Sequence, residues 1–164
     1  MALEIFLRID GITGSTRNFA FKGCADVLSW SWDLVHTNPE ANSYENVEMN
    51  KISIVKRIGT DSPALMKLFA EQTTSKTAEL TALPIIGKRE AKQKYLNIIL
   101  EDVMVKSIRA GGNIEEDLFS ETILLQFGKM NYEYHQYTTA SQMGTAATES
   151  SHAFGWDIAA NAPR

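Results

Sequence analysis

The residues able to do chemistry are few and scattered. The histidines are His36, His135 and His152, and none has a second ligand at the short offset a zinc site uses. The single cysteine, Cys24, becomes a nucleophile only if a histidine folds beside it to take its proton. Alone it packs as a small apolar residue. Carboxylates adjoin at Glu101-Asp102 and at Glu115-Glu116-Asp117. On a strand the first two point to opposite faces and cannot share one substrate. The second group sits in turn-like sequence and reads as solvated charge. It lacks the further oxygen ligands, at regular offsets, that calcium needs. Gly111-Gly112 opens no helix and has no Lys-Ser/Thr after it, so it is not a phosphate cradle. No serine stands in a nucleophile-elbow pattern. The reading is a chain without catalytic, cofactor-binding or metal-binding residues, and not an enzyme.

The elements that carry these residues belong to one domain, residues 1–164. Hydrophobic residues make up 44% and charged residues 22%, the balance of an ordinary globular chain. The net charge of -4 and the lack of a cation cluster argue against a nucleic-acid partner. Lys88, Arg89, Lys92 and Lys94 are interrupted by Glu90 and read as a solvated turn. One cysteine allows no internal disulfide, which suits folding in the reducing cytoplasm. The first ten residues carry no cationic leader, and no apolar run approaches the roughly 20 residues of a membrane helix. The expectation is a cytoplasmic protein that, if exported, leaves without a cleaved signal peptide and without membrane insertion.

Period-two alternation dominates, the signature of half-buried strands. Leu3, Ile5, Leu7 and Ile9 share one face of a first strand, closed by turn chemistry over Gly11–Ser15. A second strand is expected over Asp26–Val35. Leu28, Trp30, Trp32 and Leu34 lie on its packed face, and Ser29, Ser31 and Asp33 on the other. His36 to Asn46 reads as a loop. Val47–Ile58 is a third strand, with Ile52, Ile54, Lys56 and Ile58 on one face. One helix follows, with Ser62 as N-cap, Pro63 at the first helical position and an apolar stripe of Leu65, Leu68 and Phe69. It ends near Gln72. Further strands are expected over Thr77–Ile86, with an edge or break at Pro84, and over Tyr95–Ile108. A turn is placed at Arg109–Asn113. Leu118–Tyr137 is a long strand with a phase change, read as one extra residue bulging near Gly128. Thr138–Ser151 is small and polar, a loop, and Phe154–Ile158 is a short closing strand. Many short strands with one helix imply a closed barrel or a two-sheet sandwich.

Trp30 and Trp32 place a large apolar payload on one side of a strand whose other side is small and hydroxylated. A wall with one packed and one wet side has this pattern. An ordinary solvent-exposed face has it too. Several segments carry a resemblance to the haemolysin-coregulated protein (Hcp) family, the inner-tube proteins of the bacterial type VI secretion system. They are Ile5-Phe6-Leu7-Arg8-Ile9-Asp10-Gly11-Ile12-Thr13-Gly14-Ser15, Asp26-Val27-Leu28-Ser29-Trp30-Ser31-Trp32, the helix start at Ser62-Pro63-Ala64-Leu65, the strand from Glu121 to Tyr134, and Phe154-Gly155-Trp156-Asp157-Ile158. They span nearly the whole chain in the family's order. The chain departs from the pattern in the glycine-free stretch Asn38–Glu45, and at Ala82-Leu83-Pro84-Ile85-Ile86, where a strand usually runs unbroken.

The resemblance implies a mainly β fold: a two-sheet β-barrel flanked by one α-helix, acting as a ring-forming subunit. It implies a homo-hexamer whose rings stack into a secreted tube. Small type VI effectors would ride in the lumen, with spike and sheath components as further partners. Ser29 and Ser31 are then candidate lumen residues. Asn38, Pro39, Asn42, Tyr44 and Glu45 are candidate inter-subunit residues on the loop after the tryptophan strand. Two other readings stay open: a tail-tube protein of a phage or related injection device, and a monomeric β-barrel enzyme with dispersed catalytic residues.

Overall fold

The computed structural model describes residues 3–36, 47–84, 95–137 and 149–164. The alternating segments form strands β1 (Leu3–Ile9), β2 (Ala25–Ser31), β3 (Leu34–His36), β4 (Val47–Met49), β5 (Ile52–Arg57), β6 (Ser75–Pro84), β7 (Leu96–Asn113), β8 (Leu118–Gln126), β9 (Lys129–Tyr137), β10 (Glu149–Asp157) and β11 (Ala162–Pro163). The helix α1 (Ser62–Glu71) lies between β5 and β6.

Six strands close a barrel in the order β1-β2-β5-β8-β7-β6, antiparallel at every pairing. The length of β7 lets it serve two sheets. Its first half, Leu96–Glu101, pairs with β9, and its second half, Met104–Asn113, pairs with β8. β8 and β9 run on from one another along the same edge of β7. β8 pairs outward with β5, whereas β9 pairs outward with β10. The barrel is therefore built from two sheets that share β7, one of them extended by β9, β10 and β11.

The core is the inner face of these strands. Ile52, Ile54, Ile98, Ile123, Leu125 and Met130 are fully buried, and Leu65 of α1 joins them. Each such side chain contributes about 1.5–3 kcal/mol relative to exposure. Phe6, on the opposite face of β1, is covered separately by Phe21, its ring stacked at 4.4 Å. The predicted turn at 11–15 is held tightly against β2: a Cβ on Gly14 would stand 2.3 Å from the carbonyl oxygen of Cys24.

Several boundaries differ from the expectation, each for a local reason. The expected strand Asp26–Val35 divides. A bulge at Leu28, between Val27 and Ser29, shifts the phase of β2. Val27 points inward before it and Trp30 after it, while Leu28 is exposed, because one extra residue reverses the faces. Leu34 lies in β3, which pairs with β4 in a separate hairpin, and is also exposed. Trp32 does pack inward, against Phe127 and Tyr132, and its Nε1 donates to the Asn50 carbonyl at 2.9 Å. The expected strand over Val47–Ile58 is two strands, β4 and β5.

The expected turn at Arg109–Asn113 is strand; the reversal occupies residues 114–117. Gly112 serves packing, since the nearest atom of the Phe119 ring lies 2.2 Å from where a Gly112 Cβ would be. The phase change near Gly128 is present without an extra residue. Asp102, at φ +54, breaks β7 opposite it, and the register is the same on both sides, Glu101 facing Lys129 and Met104 facing Gln126. Both strands reverse their faces together. β6 is described from Ser75 to Pro84; it is an interior strand between β1 and β7, with Pro84 facing Leu3 of β1, so the expected edge position is not found, and residues 85–94 lie outside the described ones. Of the expected loop Thr138–Ser151, residues 149–151 open β10, which runs through most of the expected closing strand.

The N-cap of α1 is Asp61, not Ser62, and its side chain makes no capping bond because it is engaged elsewhere. The apolar stripe is Leu65 and Leu68; Phe69 is turned to solvent. Gln72, in the left-handed conformation, ends the helix by donating its backbone N–H to the carbonyls of Leu68 and Phe69.

Candidate assembly face

In the wall β2-β5-β8-β7, β5 and β8 alternate strictly, and β2 and β7 each carry one bulge, at Leu28 and at Lys106. Ile52, Ile54, Ile123 and Leu125 point into the barrel, so their sequence neighbours point out. The register then brings one outward row together: Ser29 beside Val55, Thr122 and Arg109. A second row sets Ser31 beside Ser53, Leu124 and Ser107. Ser29 and Ser31, the two residues singled out in the sequence, are both exposed and lie on this face. Ser53, Ser107 and Thr122 extend the hydroxylated surface across four strands. Alternation on β5 and β8 held that information, but only the register shows which outward residues are neighbours.

Beneath this face lies a buried ionic knot. Lys56 is fully buried on the inward side of β5. Its Nζ pairs with Asp61 Oδ2 at 3.0 Å and with Glu121 Oε1, and donates to the Arg57 carbonyl at 2.9 Å. Ser62 donates its hydroxyl to Glu121 Oε1 at 2.8 Å and accepts from the Gly59 N–H at 3.1 Å. The knot ties β5 and β8 to the start of α1. A lysine at an inward position of an apolar strand was the sequence signal for it.

The residues with chemical potential stay apart. Among the described residues, no three His, Cys, Asp or Glu side chains come together as a metal site. Cys24 is buried, and burial raises its thiol above the ordinary range although the Arg8 guanidinium opposes this. His152 faces Tyr134 across β9 and β10, and His135 lies 3.6 Å from Glu133. Glu101 is held by Arg164, and Glu115–Asp117 occupy an exposed turn. Asn38, Pro39, Asn42, Tyr44 and Glu45 lie outside the described residues. No described helix is long and apolar enough to cross a membrane.

The comparisons with known proteins agree with this architecture. Residues 6–134 match the family model described as "Type VI secretion system effector, Hcp". Protein hcp1 of Pseudomonas aeruginosa is 26% identical over 165 residues, which cover 98% of each chain. The crystal structure of Hcp1 from Salmonella typhimurium superposes with a TM-score of 0.78 at 26% identity over 100% of both chains. A structure described only as a type six secretion system protein gives a TM-score of 0.83 at 19% identity, over 99% of this chain and 100% of that one, a likeness of fold. The closed six-stranded barrel with one helix and a match over most of the chain lead to one conclusion: the protein belongs to the Hcp family of type VI secretion proteins.

Proposed function

We propose that this chain is a structural subunit of the type VI inner tube, closing as a hexamer into rings that stack and carry small effectors in the lumen. One observation carries the reading: among the described residues, the hydroxylated wall has two unpaired edges. β1 pairs with β2 only at Ala25 and Asp26, so β2 has no strand beside it from Val27 to Ser31 on that side. On β7 the edge opposite β8 is taken by β6 only as far as Val103, which leaves Met104–Asn113 without a strand there. Strand direction alternates across β2-β5-β8-β7, so β7 of one copy would meet β2 of the next antiparallel. That contact joins two different surfaces, and such contacts close into rings. It also covers edges that would otherwise invite aggregation. The wet face carrying Ser29 and Ser31 then lines the bore, with hydroxyls short enough to leave it open. Spike and sheath components are the partners of such a tube, and its route out of the cell is the secretion machine itself.

Light scattering of the purified chain is expected to give about six times the chain mass, and negative stain an annulus with a hole. A lone compact particle at every concentration would overturn the proposal. Ser31→Trp, which adds bulk on the wet face, is expected to keep the ring and reduce effector recovery in a pull-down by at least about tenfold, the scale of one lost contact of 1.4 kcal/mol. Unchanged recovery would remove Ser31 from the lumen.

A further inference from the structure

Among the described residues, the chain carries two exposed features of opposite charge that form no ion pair with each other within one copy. The first is the tip of the β7–β8 hairpin. β8 pairs with β5 as far as Ser120, which faces Arg57, and the Phe119 carbonyl accepts from the Ile58 N–H at 3.1 Å; beyond that, among the described residues, the ribbon pairs only within itself. The tip holds Glu115, Glu116 and Asp117, all exposed, between Ile114 at 95% exposure and Phe119 at 68%. A two-stranded ribbon of this kind is marginal on its own in water.

The second feature is a cleft of about 660 Å³ where β1 and β2 diverge. Leu3, Ile5 and Leu28 supply its apolar lining, and Arg17 and Arg57 reach into it. Its carboxylates already accept hydrogen bonds: Glu4 from Asn18 at 3.3 Å and Asp26 from Thr16 at 2.6 Å. Among the described residues, neither Arg17 nor Arg57 has an ion-pair or hydrogen-bond partner for its guanidinium. The cleft thus offers two unpaired cations beside apolar surface.

We infer that the acidic hairpin tip of one copy seats in the arginine-lined cleft of the next copy in the ring. The inference rests on the ring reading above and specifies its contact. Charge complementarity selects the occupant, three carboxylates for two unpaired guanidinium groups. Geometry agrees. A neighbour's β7, laid antiparallel on the open edge of β2, runs with Asn113 toward Val27, so its next residues reach the end of β2 where Arg57 and the 15–18 segment lie. Ile114 and Phe119 then have Leu3 and Leu28 to cover. Carboxylate–guanidinium pairs desolvated at such a contact are the kind that set both register and strength.

The test uses two full-length variants. One carries Arg17→Glu and Arg57→Glu; the other carries Glu115→Lys, Glu116→Lys and Asp117→Lys. Each alone places like charges at every contact and is expected to run as a monomer where the wild type forms a ring, with at least a tenfold rise in the concentration at which rings half-assemble. Mixed in equal amounts, the two are expected to re-form rings of alternating copies, since each tip then meets a cleft of opposite charge; that recovery also shows that both variants are folded. If each variant alone forms rings at wild-type concentration, or if mixing restores nothing, the seating is wrong, and an acidic segment of another protein becomes the candidate occupant. If the wild type itself never forms a ring, the ring reading fails instead.

Discussion

Lys56→Met is expected to destabilise the fold by about 3–5 kcal/mol, the cost of leaving buried carboxylates without their cation. The ammonium answers Asp61 and Glu121 at once, and all three of its protons are used when the Arg57 carbonyl is included. Removing it strands two negative charges at the junction of β5, β8 and α1. For a chain of this size the loss corresponds to a fall in Tm of roughly 10 °C. Urea unfolding followed by fluorescence of Trp30 and Trp32 measures it, at one protein concentration, because assembly adds its own stabilisation. A variant combining Lys56→Met with Asp61→Asn and Glu121→Leu is expected to lose less than Lys56→Met alone, since no unpaired charge is left inside. A single-variant loss below about 1 kcal/mol would mean that water reaches the knot and that its burial has been overstated.

Leu65→Ala is expected to cost about 2–5 kcal/mol, and Phe69→Ala under about 1 kcal/mol. Leu65 is fully buried, the one α1 side chain of that kind among the apolar core residues, whereas Phe69 is 44% exposed. The pair therefore reports the rotation of α1 about its own axis. Denaturant midpoints of the two variants check it directly. Equal losses would show that the helix turns Phe69 toward the barrel, as its apolar spacing alone implied.

These two predictions also mark where sequence reading is strong and where it is weak. The helix was legible from Pro63 and the spacing of Leu65 and Leu68, but three apolar residues in one turn cannot all face a narrow contact. Only packing decides that Phe69 is the one left outside. Similarly, Ser29 and Ser31 were legible as the wet side of a strand. That they join Ser53, Ser107 and Thr122 depends on hydrogen-bond register, which no single segment encodes. Leu28 was misplaced because a bulge leaves no mark in an alternating pattern until the partner strand is present. Asp102 was read simply as one of two adjacent acids, although its left-handed backbone is what turns β7 from one sheet to the other.

By itself the sequence determined the mainly β class, the single helix, the two-sided character of the tryptophan strand and the order of segments shared with the Hcp family. These are properties of short windows: a period of two or 3.6 residues, a proline, a pair of tryptophans. Tertiary structure alone decided that β7 belongs to two sheets, that Lys56 lies inside against two acids, and that, among the described residues, open edges and arginines without a partner flank the hydroxylated wall. Each of these depends on residues far apart in the chain, Lys56 with Glu121 or Ser31 with Ser107, and long-range pairing is set by the summed free energy of the closed barrel. A local pattern proposes a face; closure of the barrel determines what that face meets.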